Sequence, residues 1–256
     1  MSAFGGGGFG IVGHRGGRVT PLDPEWPAEN TVASFERAIA EGADAIEIDV
    51  RLCATGEVVV FHDPDLARAT RGLDGREVQA VPYLELASMR LFGDAQGVPL
   101  LRDVLLLCVQ RGVGLNVEIK YDAVARGRLA RAVARELARS SADVLLSSFD
   151  PRILLDMLRI APRTPRALLT TPTRKWSGFA ARRVARPPWL WAVHLERTQA
   201  QPALVRSLKQ RGLRVGVWTI NDAAEARDLR SVGVDWIVTD APGRLRAELG
   251  ISKSND

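Results

Sequence analysis

The 256-residue chain lacks the sequence features typical of disulfide-rich, membrane-spanning and secreted proteins. Its only two cysteines are Cys53 and Cys108, and the absence of a CxxC motif argues for structural thiols in a reducing compartment. No apolar run approaches the roughly 18 residues that cross a bilayer. Residues 1–13 are rich in glycine and lack the basic and apolar regions of a signal peptide. These absences predict a cytoplasmic protein without stable membrane insertion.

Several catalytic and nucleotide-binding motifs are also missing. The chain has no Walker loop, no GxGxxG after a strand, no GxSxG and no HExxH, which argues against nucleotide-dependent and serine-hydrolase chemistry. We expect a small-molecule substrate. The net charge of +5 favours an anionic one, although it also permits weak non-specific contact with nucleic acid and decides nothing alone. The basic stretch Arg174–Arg186 could contact a membrane surface or RNA, but we interpret it as a solvated helix face and predict no nucleic-acid partner. The sequence leaves the oligomeric state open.

Short apolar runs alternate with amphipathic stretches along the whole chain. This order predicts an α/β fold with parallel strands. The predicted strands are Ile11–His14, Ala45–Val50, Val58–Phe61, Leu115–Ile119, Val144–Ser148, Arg166–Leu169, Leu190–His194, Val215–Thr219 and Trp236–Thr239. The predicted helices are Thr31–Glu41, Leu101–Gln110, Asp122–Arg139, Pro151–Ile160, Gln201–Arg211 and Asp222–Ser231.

The chain length and the strand pattern favour a (β/α)8 barrel in one domain, residues 1–256, over an open doubly wound sheet. Nine strands are one more than this barrel uses. Only seven residues join Ala45–Val50 to Val58–Phe61, too few for a helical crossover, so one of the nine is not a regular barrel strand. The long connection after Phe61 predicts a small inserted lobe at residues 64–98, beside the mouth of the site.

Charged groups stand at the ends of four of these apolar strands. Charged side chains are almost never fully buried unless they are paired or bind a metal. The four clusters are His14-Arg15-Gly16, Glu47-Ile48-Asp49, His62-Asp63 and Glu118-Ile119-Lys120. Because barrels place their chemistry at the carboxyl ends of the strands, we expect the clusters to line a single pocket. Such a pocket suits metal-assisted cleavage of a phosphate ester.

The three acidic residues form a candidate metal site. Alternation along a strand puts Glu47 and Asp49 on one face, where they repel each other unless a cation lies between them. With Glu118 as a third ligand, this all-oxygen set suits one divalent cation, Mg²⁺ or Ca²⁺. The alternative is that these carboxylates form structural ion pairs with arginines.

The basic residues and histidines complete the predicted site. Arg15 and Lys120 suit phosphate binding, although each could instead neutralise the nearby acids. His14 and His62 can divide the work of general base and general acid. Trp218 offers a flat wall to an alcohol group or simply packs the barrel. His194 has no acidic neighbour on its own strand face, and the sequence leaves its role open.

Motifs in order along nearly the whole chain resemble the glycerophosphodiester phosphodiesterases, and most closely their cytoplasmic bacterial members. They are HRG, ENT, IEIDV, VVVFHD followed by L-x-R-x-T, NVEIK, LLSSF, VWTIND and DWIVTDAP. The resemblance implies a distorted TIM barrel of the phospholipase-C-like phosphodiesterase type. It implies hydrolysis of glycerophosphodiesters, such as glycerophosphocholine, to sn-glycerol 3-phosphate and an alcohol.

The resemblance also implies a role for each site residue. It carries over His14 and His62 as the acid/base pair, and Arg15 and Lys120 as phosphate contacts. It carries over Glu47, Asp49 and Glu118 as metal ligands. Glu29, in the ENT motif, matches a family position for which we expect a supporting or helix-positioning role.

Two other functions remain open at this point. The first is a lysophospholipase-D-like activity, which needs an apolar groove for an acyl chain. The lobe's apolar residues suffice only to pack the lobe itself; they are Val81, Leu84, Leu86, Met89, Leu91 and Phe92. The second is a binding barrel that has lost catalysis, but all the candidate catalytic residues are present.

Overall fold

The computed structural model describes residue 4 and residues 8–93, 97–122, 126–173 and 190–251. Within these ranges one sheet has the strand order β1-β9-β8-β7-β6-β5-β4-β2-β3, and an additional β1–β2 pairing closes it. The strands are β1 Gly10–Gly13, β2 Ala45–Leu52, β3 Val58–Val60, β4 Gly114–Ile119, β5 Val144–Ser148, β6 Arg166–Leu169, β7 Ala192–Glu196, β8 Arg214–Trp218 and β9 Trp236–Thr239. All pairings except β2–β3 are parallel, so eight strands form a closed parallel barrel. The predicted TIM barrel is confirmed, and the open sheet is excluded.

β3 is the strand that does not belong to the barrel. It pairs antiparallel with the end of β2, with Val50 opposite Val60 and Leu52 opposite Val58. The two strands form a hairpin because the chain between them is too short for a helical crossover. The hairpin carries the chain back to the barrel mouth, where His62 follows β3.

Helices follow most of the parallel strands. They are α1 Val32–Ala40, α2 Tyr83–Ser88, α3 Leu101–Arg111, α4 Arg126–Leu137, α5 Pro151–Ile160, α6 Pro202–Gln210, α7 Ala223–Ser231 and α8 Pro242–Leu249. Of these, α2 and α8 are absent from the sequence prediction. The seventh strand begins at Ala192 instead of Leu190 and continues to Glu196, because its ladder with β6 starts at Ala167↔Ala192. The basic stretch 174–186 lies outside the described residues.

Side-chain alternation separates the barrel interior from the helix-facing core. On β2, Ile46, Ile48 and Val50 pack into the apolar layer between barrel and helices. Glu47 and Asp49 point the other way, into the barrel. The lower interior is filled by a mainly apolar cluster of Phe4, Val12, Ala45, Leu145, Ala167, Ala192, Trp236 and Val238. The charged residues therefore lie nearer the carboxyl ends of the strands than this apolar layer of the barrel interior.

A separate apolar cluster lies under the β2–β3 hairpin and the following segment. Its buried members are Cys53, Val59, Phe61, Leu66, Ala69, Val78, Val81, Leu86, Leu91, Val98 and Leu100, with Tyr83, Met89 and Phe92 packed against it. Leu84 is exposed. The division into one domain with an inserted lobe at 64–98 stays a prediction. No helix among the described residues combines the length and apolar character needed to cross a membrane.

Candidate active site

The structure gathers most of the predicted site residues around one cavity at the carboxyl ends of the strands. The cavity measures about 540 Å³ including its open mouth. Its lining includes His14, Arg15, Glu47, His62, Glu118, Lys120 and Trp218. The other two predicted residues, Asp49 and Glu29, are buried and bonded to Arg15 at its wall.

Glu47, Asp49 and Glu118 come together as a carboxylate cluster. Each offers an oxygen within 4.8 Å of the others, and all three are buried. Burial and the negative charges of Asp49 and Glu118 raise the pKa of Glu47 well above its usual range. Burial also acts to raise the pKa of Asp49, but the nearby charges of Lys120 and Arg15 lower it far below its usual range. Three buried oxygen donors that repel one another fit a hard divalent cation, so this cluster can hold a metal ion.

Two cations lie against this cluster. The Lys120 ammonium is 2.8 Å from Glu118 Oε1 and 3.2 Å from Asp49 Oδ1. Arg15 Nε lies 3.1 Å from Asp49 Oδ2, and the Arg15 backbone N–H donates to Glu47 Oε2 at 3.0 Å. Both acids and cations are thus partnered, in agreement with the rule that buried charges are paired.

A left-handed turn aims the Arg15 backbone at Glu47. Arg15 has φ +54° and Gly16 has φ +89°. A Cβ at position 16 would lie 2.5 Å from Ser34 Oγ, so only glycine fits there. Non-glycine residues in this region concentrate at functional sites.

Glu29 is the hub of an arginine network. Its Oε1 accepts from Arg15 Nη1 at 2.8 Å and from Arg68 Nη2 at 2.6 Å, and its Oε2 lies 2.8 Å from Arg18 Nε. Burial would raise the pKa of Glu29, but the Arg68 hydrogen bond and the Arg15 and Arg18 charges lower it to about 2. Thr31 caps α1 by accepting from the Ser34 backbone, and Asn30 Nδ2 donates to Asp49 Oδ2 at 2.9 Å. The ENT segment therefore fixes both Arg15 and Asp49.

His14 is held by a carboxylate from the other end of the chain. Its Nδ1 lies 2.7 Å from Asp240 Oδ1. Asp240 is itself fixed by Asn221, which donates from Nδ2 to its Oδ2 at 2.8 Å and accepts from its backbone N–H at 2.9 Å. Burial acts to raise the pKa of Asp240, but the His14 hydrogen bond and charge lower it below its usual range. A carboxylate on Nδ1 leaves Nε2 of His14 as the nitrogen for chemistry.

His62 has the same arrangement with a local partner. Its Nδ1 lies 2.6 Å from Asp63 Oδ1, and Asp63 Oδ2 accepts from Arg68 Nε at 2.6 Å. Arg51 adds support from below, because its Nε and Nη2 both donate to the His62 carbonyl at 2.9 and 2.8 Å. Each histidine is thus oriented through Nδ1 by a carboxylate that a further residue holds in place.

The sequence prediction missed these supporting residues. Asp240 directly follows β9, so the strand-end rule that singled out His14 also applied to it. Asp63 ends the VVVFHD motif and Arg68 lies in the L-x-R-x-T motif, but we predicted no role for either residue from the sequence. His194 also lines the cavity, with 1% exposure, and burial lowers its pKa to about 3. Trp218 lines the cavity beside Phe149, with ring centroids 5.6 Å apart.

Histidines, clustered carboxylates and two cations thus meet at one cavity at the carboxyl ends of a closed parallel barrel. This is the architecture of a TIM-barrel enzyme. The model of the glycerophosphoryl diester phosphodiesterase family matches residues 14–244. The chain belongs to this family, and the predicted resemblance is confirmed.

Known proteins resemble the chain over almost its full length. A glycerophosphodiester phosphodiesterase of Caldanaerobacter subterraneus is 28% identical over 92% of this chain and 95% of its own. The crystal structure of the Thermotoga maritima glycerophosphodiester phosphodiesterase has a TM-score of 0.75 at 26% identity, covering 94% of this chain and 98% of the other. An Oleispira antarctica phosphodiesterase, solved with the product sn-glycerol-3-phosphate, has a TM-score of 0.79 at 25% identity, covering 94% and 96%. The prediction of a phosphodiesterase is therefore confirmed at the level of the family.

Proposed function

We propose that this chain hydrolyses glycerophosphodiesters, such as glycerophosphocholine, to sn-glycerol 3-phosphate and an alcohol in the cavity described above. The observation that carries the proposal is that two histidines at the cavity are each oriented by a carboxylate in the same way. His14 and His62 line the same cavity, and each has a carboxylate 2.6–2.7 Å from Nδ1. The product bound to the Oleispira antarctica phosphodiesterase supports the glycerol phosphate half of the substrate.

Glu47, Asp49 and Glu118 are the residues that would hold one divalent cation, Mg²⁺ or Ca²⁺. Their donor set fits it, because three oxygen ligands within 4.8 Å of one another suit a hard cation. When bound, such a cation supplies positive charge to a phosphate oxygen. Arg15 and Lys120 balance the remaining negative charge of the cluster.

Arg15 and Lys120 also bind the phosphate in this proposal. A guanidinium has five N–H donors, and the Arg15 side-chain contacts named above involve two of its nitrogens. Lys120 has three ammonium N–H groups, of which two face Asp49 and Glu118. Both side chains line the cavity, so their remaining donors can bind phosphate oxygens and stabilise charge in the transition state.

The two histidines move the protons. One removes a proton from the attacking oxygen, and the other donates a proton to the leaving alcohol. Asp240 and Asp63 hold the rings so that Nε2 faces the reaction, and they stabilise each imidazolium as it forms. Trp218 and Phe149 give the alcohol group an apolar wall. Glu29 keeps Arg15 and Arg68 in place.

Release of glycerol 3-phosphate from glycerophosphocholine tests the proposal. Purified wild-type protein is compared with His14→Gln and His62→Gln, with EDTA and after Mg²⁺ or Ca²⁺ is restored. We expect release by the wild type only when metal is present, and a loss of at least about 100-fold in each variant. No release by the wild type with either metal would overturn the function. Release unaffected by EDTA and by both substitutions would leave the activity but refute this site.

A further inference from the structure

The L-x-R-x-T motif, to which the proposed function assigns no chemical step, forms a turn beside the active site. Its leucine, Leu66, is fully buried in the apolar cluster under the β2–β3 hairpin. Its threonine closes the turn, because Thr70 Oγ1 donates to the Leu66 carbonyl at 2.9 Å. Arg68 lies between these two anchors. The motif therefore fixes the backbone from which the Arg68 side chain extends.

The Arg68 guanidinium joins two parts of the site. Its Nε donates to Asp63 Oδ2 at 2.6 Å, and Asp63 in turn orients His62. Its Nη2 donates to Glu29 Oε1 at 2.6 Å, and the same oxygen accepts from Arg15. Because 45% of the Arg68 side chain is exposed, water competes for these contacts and burial alone does not fix the guanidinium.

The ring of Phe92 supplies a second contact for this guanidinium. Arg68 Cζ lies 4.8 Å from the centroid of the Phe92 ring, which is the distance of a cation–π contact. Phe92 also packs against the apolar cluster that holds Leu66. Its backbone N–H donates to the Ala69 carbonyl at 2.7 Å. Phe92 thus connects the turn, the apolar cluster and the guanidinium.

Left-handed backbone conformations concentrate around the same network. Among the described residues, positive φ values outside glycine occur at Arg15, Asn30, Arg71 and Phe92. Arg15 belongs to the active site, and Asn30 binds one of its carboxylates. Arg71 donates its backbone N–H to the Arg68 carbonyl at 3.3 Å. A φ of +57° is a rare outlier for a residue as bulky as Phe92, and such outliers cluster at functional sites.

We propose that Phe92 is a positioning residue for the reaction. Its ring holds the Arg68 guanidinium against Asp63, and Asp63 then orients His62. The inference rests on the proposed function, because that function gives His62 its part in proton transfer. Phe92 is not among the described residues that line the cavity, so it acts without touching the substrate. Leucine at position 92 keeps the apolar packing and removes the ring face, which leaves Arg68 free to turn into solvent.

Nitrogen-15 NMR of the histidine rings tests this role, because the chain has only three histidines. Histidine-labelled wild type is compared with Phe92→Leu and Arg68→Met, and His62→Gln identifies the His62 signals by their loss. Tyr83→Leu is the matched control. Tyr83 is an aromatic residue packed against the same apolar cluster, and it makes no hydrogen bond or ring contact with Arg68 within the described ranges. Thermal unfolding verifies folding, and Phe92→Met replaces Phe92→Leu if the latter does not fold.

We expect Phe92→Leu and Arg68→Met to shift the His62 ring signals and to leave those of His14 in place. Tyr83→Leu should shift neither. In turnover of glycerophosphocholine, Phe92→Leu should lower kcat about two- to fivefold with KM unchanged. It should have no further effect in protein that already carries Arg68→Met, because the ring acts through the guanidinium.

Unshifted His62 signals in Phe92→Leu, the same shift in Tyr83→Leu, or additive losses of kcat would overturn the inference. The NMR measurement does not depend on turnover, so the two proposals can fail separately. Wild-type turnover with unshifted His62 signals would refute the role of Phe92 and leave the proposed function intact. Shifted His62 signals without wild-type turnover would refute the proposed function and leave Phe92 as a residue that orients His62.

Discussion

Replacing Asp240 by asparagine tests the proposed catalytic role of His14 and its orientation by a carboxylate. The substitution keeps the size of the side chain and removes its charge. In the wild type, Asp240 accepts from His14 Nδ1 on one oxygen and from Asn221 Nδ2 on the other. An amide has only one oxygen. If that oxygen keeps the Asn221 bond, the new NH2 group faces His14 and forces the opposite tautomer.

The expected cost follows from the lost hydrogen bond. A hydrogen bond to a charged group contributes about 1.5–3 kcal/mol. If this contribution is realised in the transition state, kcat falls by about 10- to 150-fold. KM should change little, because Asp240 contacts His14 and is not among the described residues that line the cavity.

The assay is steady-state release of glycerol 3-phosphate from glycerophosphocholine at neutral pH. Asp222→Asn is the matched control, because Asp222 is a nearby carboxylate that only caps α7, and asparagine caps a helix equally well. Unchanged kcat in Asp240→Asn would refute the proposed orientation of His14. So would a fall in kcat matched by the control.

The same reasoning gives three further predictions. Arg68→Met should lower kcat about fivefold, since Arg68 holds Asp63 behind His62 and is partly exposed; unchanged kinetics would contradict this. Glu29 has an ordinary pKa of 4.5 and a folded pKa of about 2, so its charge stabilises the fold above pH 4.5 and this contribution is lost as the pH falls towards 2. At 1.36 kcal/mol per pH unit it amounts to about 3 kcal/mol, and urea unfolding of Glu29→Gln should show a correspondingly flatter pH dependence. Glu47→Gln should stabilise the metal-free protein by about 1 kcal/mol, because it relieves repulsion from Asp49 and Glu118; a lower melting temperature would argue against the repulsion.

The barrel and the charged face of its strands could be predicted from the sequence because both depend on local alternation. Ile46 and Ile48 pack outward, and this places Glu47 and Asp49 inside whatever the rest of the chain does. The same rule places Glu118 on the inner face of β4. β3 was recognisable as the surplus strand only through its pairing, since its apolar run resembles the others.

The supporting contacts could not be predicted in this way, because they join distant parts of the chain. Asp240 reaches His14 across 226 residues, and Arg68 reaches Glu29 across 39. Trp236 Nε1 donates to His194 Nε2 from a different strand, 42 residues away in the sequence. The pairing of β1 with β9 brings Asp240 to His14, and the β7–β8–β9 ladders bring Trp236 to His194. These contacts therefore depend on the tertiary fold and not on spacing in the sequence.

We propose that the carboxylate cluster binds one divalent cation and that the reaction requires this ion. The most direct test is a titration of Mg²⁺, and separately Ca²⁺, into EDTA-treated protein, with bound metal and glycerol 3-phosphate release measured on the same samples. We expect one ion per chain, activity that rises in proportion to bound metal, and loss of both in Glu118→Gln. Full activity in protein without bound metal, or metal binding unchanged by Glu118→Gln, would contradict the account.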